Sequence, residues 1–389
     1  MTQVCDVLVI GGGLHGLSSA LHLARRGVSV RVLEADYCGR HASGVNAGGV
    51  RTLDRHVAEI PLSVAALALW HRMPDLVDET VDFVPSGQLK LAETPEELDT
   101  LRQRVDLMNA LGFSHEVLIG PQDVHELVPA LTPNIAGAIW AAEDGYAYPF
   151  GVVTAFRRAG QRRGVQIHEN TPVQRIARQG EYWQVHTPTG VFEVPHLVNT
   201  AGAWAGEIAR QAGEPVPIEA GGLMLMVTQR LPHFVRPVLG ATGRALSFKQ
   251  FGNGTVVIGG ALRCVADAQA RHSEVDMLRL ATSAQTVTDL FPHLGPIAIN
   301  RSWAGIEGFM PDHIPVIGPS STEPGLVHAF GFSAHGFQLS PIVGQIVSEL
   351  VLDGRSALPI APFAIDRFAA AGASTIDKNP HQSDLFLNH

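Results

Sequence analysis

Two glycine clusters, and the charged residues near them, hold most of the chemistry this chain could perform. The first cluster is Gly11-Gly12-Gly13-Leu14-His15-Gly16, and Glu34 lies eighteen residues beyond its last glycine. Gly11 permits a tight turn, Gly13 lets main chain approach a pyrophosphate, and Gly16 allows a helix to pack closely on a strand. The helix opening at Leu14 and His15 would offer unpaired N–H groups and its positive dipole end to phosphate. A carboxylate at position 34 would accept hydrogen bonds from ribose hydroxyls, whereas Lys or Arg there would favour a ribose phosphate. The pattern specifies a dinucleotide but not which one. The second cluster is Gly331-Phe332-Ser333-Ala334-His335-Gly336, near the carboxyl end.

These residues need a scaffold, and the flanking sequence supplies it. An apolar run over 4–10 reads as a buried parallel strand. Helical spacing follows over 14–26, Gly27 is a stop, and a second strand runs over 28–33. This is the opening of a doubly wound sheet. The middle returns to that pattern, with a helix over 149–163, a strand over 165–168 and a strand over 197–199. Segments 223–229, 245–250 and 255–259 predict a mainly antiparallel sheet. Thr94, with Glu97 three residues on, predicts a capped helix over 95–111. Ser340-Pro341 predicts the start of a helix running through 352. The expected fold class is α/β: a Rossmann-type nucleotide-binding domain with a second, substrate domain on an antiparallel sheet. The expected division places 1–82, 146–218 and 300–370 in the first domain, 83–145 and 219–299 in the second, and 371–389 in a tail.

Composition narrows the functional classes. The 389 residues carry 28 Lys and Arg against 37 Asp and Glu, a net charge of −9. No basic block is present, which argues against a nucleic-acid partner. The three cysteines, Cys5, Cys38 and Cys264, form no C-x-x-C pair. A metal or iron–sulfur site on this chain alone is not expected. No leader pattern precedes the first strand, and no apolar run reaches the roughly 18–20 residues of a membrane span. A cytoplasmic protein is the expectation.

Four segments together resemble the FAD-dependent D-amino-acid oxidase superfamily, in particular its sarcosine oxidase β-subunit, glycine oxidase and amine dehydrogenase branch. They are the N-terminal fingerprint with Glu34; Ala42-Ser43-Gly44-Val45-Asn46-Ala47-Gly48-Gly49-Val50-Arg51; Asn199-Thr200-Ala201-Gly202-Ala203-Trp204; and the 331–336 run, preceded by Trp303-Ala304-Gly305. The resemblance implies FAD as cofactor. Its implied contacts are Gly11, Gly13, Leu14, His15, Gly16, Glu34, Ala35, Arg40, His41, Ser43, Asn46, Ala47, Gly48, Gly49, Val173, Ala201, Gly202, Trp204, Gly305, Gly331, Phe332, Ser333, Ala334, His335, Gly336, Phe337 and Gln338. Some relatives tether flavin through a cysteine near 303–310; none stands there in this sequence, so non-covalent FAD is expected.

The same resemblance implies oxidation of an amine or imino acid, with hydride passing from substrate C–H to flavin N5. It offers Arg51, Glu307 and His335 as the catalytic group. Glycine-oxidase-like relatives carry an arginine at the position of Glu307, so a carboxylate clamp is not expected there; an ammonium or hydroxyl would suit it. Sarcosine-type oxidases use a flavin-proximal lysine, and the matching strand over 256–259 has none. Lys249 is close in sequence but is not assigned the role, and its absence from that strand favours a dehydrogenase. Arg244, Ser247 and Lys249 are candidates for substrate polar groups. The implied assembly is the β-type subunit of a D-hydroxyproline or opine dehydrogenase, with an FAD-containing α-subunit and a small iron–sulfur subunit. The alternatives are a self-sufficient oxidase of glycine, sarcosine or a D-amino acid, a non-catalytic flavin-holding subunit, and an NAD-dependent enzyme.

Overall fold

A computed structural model describes residues 3–369; the expected tail over 371–389 lies outside the described residues. The apolar run near the N-terminus forms the strand Val7–Ile10, buried on both faces as a central parallel strand must be. It stands in the middle of a six-stranded sheet ordered Gln166–His168, Val30–Leu33, Val7–Ile10, His196–Asn199, Leu326–Phe330 and Val316–Pro319. The first five are parallel and the last is antiparallel. Strands from the beginning, middle and end of the chain therefore meet in one layer. A four-stranded sheet of Gln3–Val4, Gly190–Val194, Tyr182–Thr187 and Arg175–Gln179 covers one side.

Helices Leu14–Arg25, Ile60–Trp70 and Gly336–Asp353 pack together on this sheet around Val9, Val32, Leu62, Ile317, Leu339 and Ile346. The first and last of these approach very closely. A Cβ on Gly344 would lie 2.1 Å from Ser18 Oγ, so a side chain there would push the helices apart.

The second layer is a nine-stranded, mainly antiparallel sheet built from segments 88–92, 117–119, 137–141, 219–228, 238–241, 247–250, 256–259, 263–264 and 299–309. One pair within it, Val238–Ala241 with Gln88–Ala92, is parallel. The strand Ile299–Phe309 pairs along most of Glu219–Thr228. The boundary expected at 300 thus cuts, after its first residue, a strand that belongs to this second sheet. Helix Met277–Leu290 and the segment Pro121–Leu127 cover its outer face around Phe248, Leu239 and Phe291.

Helix Pro95–Ala110 begins as its sequence predicts, with Thr94 Oγ1 accepting the Glu97 N–H at 3.3 Å. The C-terminal helix does not. It starts at Gly336, not at Ser340, and Pro341 lies inside it. Gly331, Ser333 and Ala334 all have positive φ, so the chain reverses there and enters the helix four residues earlier.

Candidate active site

The two sheets face one another across a cavity of about 580 Å³, within the range of cofactor and substrate sites. One wall is main chain. Gly11 sits at φ 105°, and a Cβ there would fall 2.4 Å from Thr200 O. Gly16 meets Gly11 O at 1.9 Å in the same test, so each residue could only be glycine. The Leu14–Arg25 helix has no side chain capping its first turn from the Gly13 N-cap, although Ser43 Oγ accepts the Leu14 N–H at 2.9 Å. Gly336–Asp353 likewise starts without a side-chain cap. Two helix N-termini thus present donors to one cavity, an arrangement suited to a pyrophosphate at one and a negatively charged ring edge at the other. Glu34 ends its strand with Oε2 accepting from Gly12 N at 2.7 Å and Oε1 accepting from Asp36 N at 2.8 Å. Its carboxylate is held against the glycine turn while still lining the cavity.

Nearly every residue expected to touch a cofactor lines this cavity, among them Ala35, Arg40, His41, Asn46 to Gly49, Val173, Ala201, Gly202, Gly305 and Gly331 to Phe337. Two do not. Gly16 serves packing alone. Gln338 turns away from the cavity: its Nε2 donates to Ser63 O at 2.7 Å and its Oε1 accepts from Ser63 Oγ at 3.2 Å, tying the last helix to Ile60–Trp70. One helical turn past the N-terminus is enough to rotate a side chain from the site into the core. Trp204 lines the cavity but spends its indole N–H elsewhere, on Ala268 O at 2.8 Å, and packs against His41. Ala268 sits in a hairpin of Ala266–Asp267 and His272–Ser273 that reaches over from the second sheet. From the same hairpin Arg271 reaches Asp36 Oδ2 at 3.3 Å and Ala35 O at 3.4 Å. None of the three cysteines lines the cavity.

The opposite wall is side chain. Arg51 donates from NH1 to Leu53 O at 2.9 Å, while its own carbonyl accepts from Arg55 Nε at 3.0 Å. Arg55 also donates to His335 O at 3.2 Å; burial, with Arg51 beside it, brings its guanidinium down to about 9. His335 Nδ1 lies 3.1 Å from the fully buried Glu59 Oε2. Desolvation holds the His335 ring below its ordinary value despite that carboxylate, which favours the neutral imidazole. Glu307 accepts the Ala334 N–H at 2.7 Å, and burial pushes its carboxyl up to about 7. Arg244 departs from expectation: although it lines the cavity, its guanidinium is committed to Glu93 and Asp289.

Lys249, expected only as a candidate for substrate polar groups because the strand Val256–Gly259 contains no lysine, is brought to the glycine-lined wall. Register supplies what that strand lacks. Lys249 on Ser247–Gln250 pairs opposite Val257, and its ammonium crosses to the first domain to donate to Ala47 O at 2.5 Å. It is 1% exposed, and burial, followed by the repulsion of Arg51, brings it down to about 7. A lysine between Phe248 and Gln250 in a buried strand was the available signal. Asp54 and Lys90, which also line the cavity, were missed. Among the described residues, six of the eight non-glycine residues with positive φ line it too, namely Asp54, Ala261, Arg271, His313, Ser333 and Ala334. Such strained positions concentrate where function over-determines the backbone.

A Rossmann-type sheet, two helix N-termini aimed at one cavity and a facing antiparallel sheet define an FAD-binding oxidoreductase. Residues 6–350 match the family DAO, FAD dependent oxidoreductase, and the chain belongs to it. It is 27% identical over 376 residues to glycine oxidase of Geobacillus kaustophilus, covering 94% of this chain and 98% of that one. It is 27% identical over 374 residues to sarcosine oxidase subunit beta of Rhizobium meliloti, covering 93% and 88%. It spans only 42% of human mitochondrial sarcosine dehydrogenase, at 27% identity over 390 residues. Among solved structures, L-proline dehydrogenase from P. horikoshii superposes with a TM-score of 0.88 at 27% identity, covering 95% of this chain and 99% of that one. The chain is an FAD-dependent oxidoreductase of a family that acts on CH–N donors in amines and amino acids. Among the described residues no helix is long and apolar enough to cross a membrane, and no His, Cys, Asp and Glu cluster suits a metal.

Proposed function

We propose that this chain is the catalytic β-type subunit of an FAD-dependent imino-acid dehydrogenase, with a cyclic D-imino acid such as cis-4-hydroxy-D-proline as substrate. The observation that carries the reading is the meeting, in one cavity, of the glycine-lined cradle and a polar wall of Arg51, Lys249 and Glu307. FAD, when bound, supplies the acceptor for the substrate's hydride. The chain's residues bind and orient. Arg51 pairs with the substrate carboxylate, and Glu307 accepts from its nitrogen or a hydroxyl. His335, held by Glu59, stays fixed at the entrance to the last helix. No strong base is required if the amine is bound neutral.

The likeness to sarcosine oxidase subunit beta supports a subunit of a larger assembly, and the likeness to L-proline dehydrogenase supports a dehydrogenase of a cyclic imino acid; on this reading the assembly is cytoplasmic. On this reading an FAD-containing α-subunit and a small iron–sulfur subunit take the electrons onward, and FAD is held non-covalently. The test is anaerobic mixing of the FAD-loaded chain with a panel of D-imino acids and secondary amines. Rapid flavin bleaching by a D-imino acid is expected. Bleaching by none of them would overturn the reading.

Lys249 favours a second reading, a self-sufficient oxidase, because it sets a titratable amine directly on the Ala47–Gly49 turn. Stoichiometric hydrogen peroxide release by the isolated chain in air would decide for it.

A further inference from the structure

One charged pair, Asp54 and Lys90, lines the cavity outside the glycine cradle. Asp54 stands at φ 58°, a left-handed backbone that a residue with a Cβ rarely adopts. The surroundings are built to keep it there. The Asp54 N–H donates to Glu116 Oε1 at 2.7 Å. Glu116 is itself fully buried and is gripped by Arg104 through Nε and NH2 at 2.9 and 3.0 Å. Arg51, the residue assigned to the substrate carboxylate, approaches the Asp54 carbonyl at 3.5 Å. A buried ion pair thus fixes the backbone of one strained residue beside the substrate clamp.

The Asp54 side chain meets Lys90 Nζ at 2.5 Å. Lys90 comes from Gln88–Ala92, where alternation sends Leu89 and Leu91 into the core and Gln88 and Lys90 toward the cavity. Neither member of the pair is sealed. The side chains keep 33% and 17% of their surface, and both line the cavity. An ammonium has three N–H groups and a carboxylate about four acceptor positions. One contact between them leaves donors on Lys90 and acceptors on Asp54, side by side and facing the substrate space.

We infer that Asp54 and Lys90 form the specificity element of this site, reading a hydroxyl that the substrate carries on the side of its Arg51-bound carboxylate. The inference rests on the amine-oxidising reading above. A hydroxyl donates to Asp54 and accepts from Lys90 at once. A plain hydrocarbon in its place desolvates both charges and returns nothing. A second carboxylate would gain Lys90 but face Asp54, and an ammonium would face the reverse.

The test compares D-proline with cis-4-hydroxy-D-proline in anaerobic flavin reduction by the FAD-loaded chain. In the wild-type protein the hydroxylated compound should have the higher ratio of flavin-reduction rate to dissociation constant by roughly 10- to 100-fold, the range of a hydrogen bond to a charged partner. In the double variant Asp54→Asn, Lys90→Met that preference should collapse to about threefold or less, with FAD content checked by the visible spectrum. If the double variant loses its flavin, Lys90→Met alone is read in the same way. A wild-type ratio near one, or a preference that survives in a flavin-loaded variant, would overturn the inference. Failure of both compounds to bleach wild-type flavin, with other amines also inert, would instead bring down the amine reading and this inference with it.

Discussion

The two walls of the cavity are made differently. Around Gly11, Gly13 and Gly336 the ligand-facing surface is backbone, and its shape depends on what is missing: a Cβ on Gly336 would press within 2.7 Å of His15 Cε1. Around Arg51, Lys249, Asp54 and Lys90 the surface is long charged side chains, brought together from strands and turns about 200 residues apart in the chain. Main chain offers a fixed donor pattern that tolerates no substitution. Side chains offer charge and titration that can be retuned one residue at a time. Substitutions in the first wall should therefore remove the cofactor or the fold, while those in the second should leave a yellow protein with altered chemistry.

Gly16→Val, which breaks the packing directly behind Gly11 of the first wall, is the most severe test of that division. Its Cβ would lie 1.9 Å from Gly11 O, with no flexible group to yield. We expect a loss of about 3 kcal/mol or more of stability and a chain purified without flavin, read by thermal unfolding and absorbance. A stable yellow variant would break the comparison at its firmest point.

Next is Lys249→Met. The folded-state value of Lys249, about 7, lies below its reference of 10.5. Between those limits the unfolded chain binds more protons than the folded one, so wild-type stability should rise with pH from about 7 toward 10.5. The variant should lack that rise, a difference on the order of a few kcal/mol across the window. Urea unfolding of both apoproteins near each end of the window measures it; parallel pH curves would show that Lys249 is not desolvated.

Arg51→Ala comes third. It should slow flavin reduction by roughly 10- to 100-fold while the bound FAD spectrum persists. An unchanged rate would take Arg51 out of the site.

The mildest test is Arg271→Ala, which removes the hairpin's grip on Asp36 and Ala35. A half-exposed pair of this kind contributes about 0–1 kcal/mol. FAD release, followed by fluorescence after dilution, should quicken by no more than about fivefold. A much larger change would mean that a side chain, not the glycine wall, governs cofactor retention.

This division also explains what could be read from sequence. The fingerprint, the 42–51 loop and the 331–336 run are local patterns, recognisable in the sequence even where the contact that requires a glycine, such as Gly11 with Thr200, is distant. The fold class followed from them. The contact of Lys249 with the glycine turn was not legible, because it depends on the register of Ser247–Gln250 against Val256–Gly259 and on an approach to Ala47 from another sheet. Asp54 and Lys90 escaped for the same reason, and nothing in Leu53-Asp54-Arg55 announces a left-handed backbone held by Glu116. Gln338 was misplaced because the last helix begins at Gly336, where positive φ at Ser333 and Ala334 outweighs the capping signal of Ser340-Pro341. Arg244 looked available only because Glu93 and Asp289 lie far from it in the chain.

The position of Val7–Ile10 bears on how the protein is made. It is the first strand of the six-stranded sheet to leave the ribosome, yet its neighbour His196–Asn199 and the adjoining Leu326–Phe330 come much later. At roughly 5–20 residues per second of synthesis, the growing chain carries an unpaired apolar strand edge for on the order of 10–40 s before the neighbour appears. Helix Gly336–Asp353, which closes one end of the cavity, emerges later still, so the newborn protein cannot complete that cavity until residues 336–353 have been made.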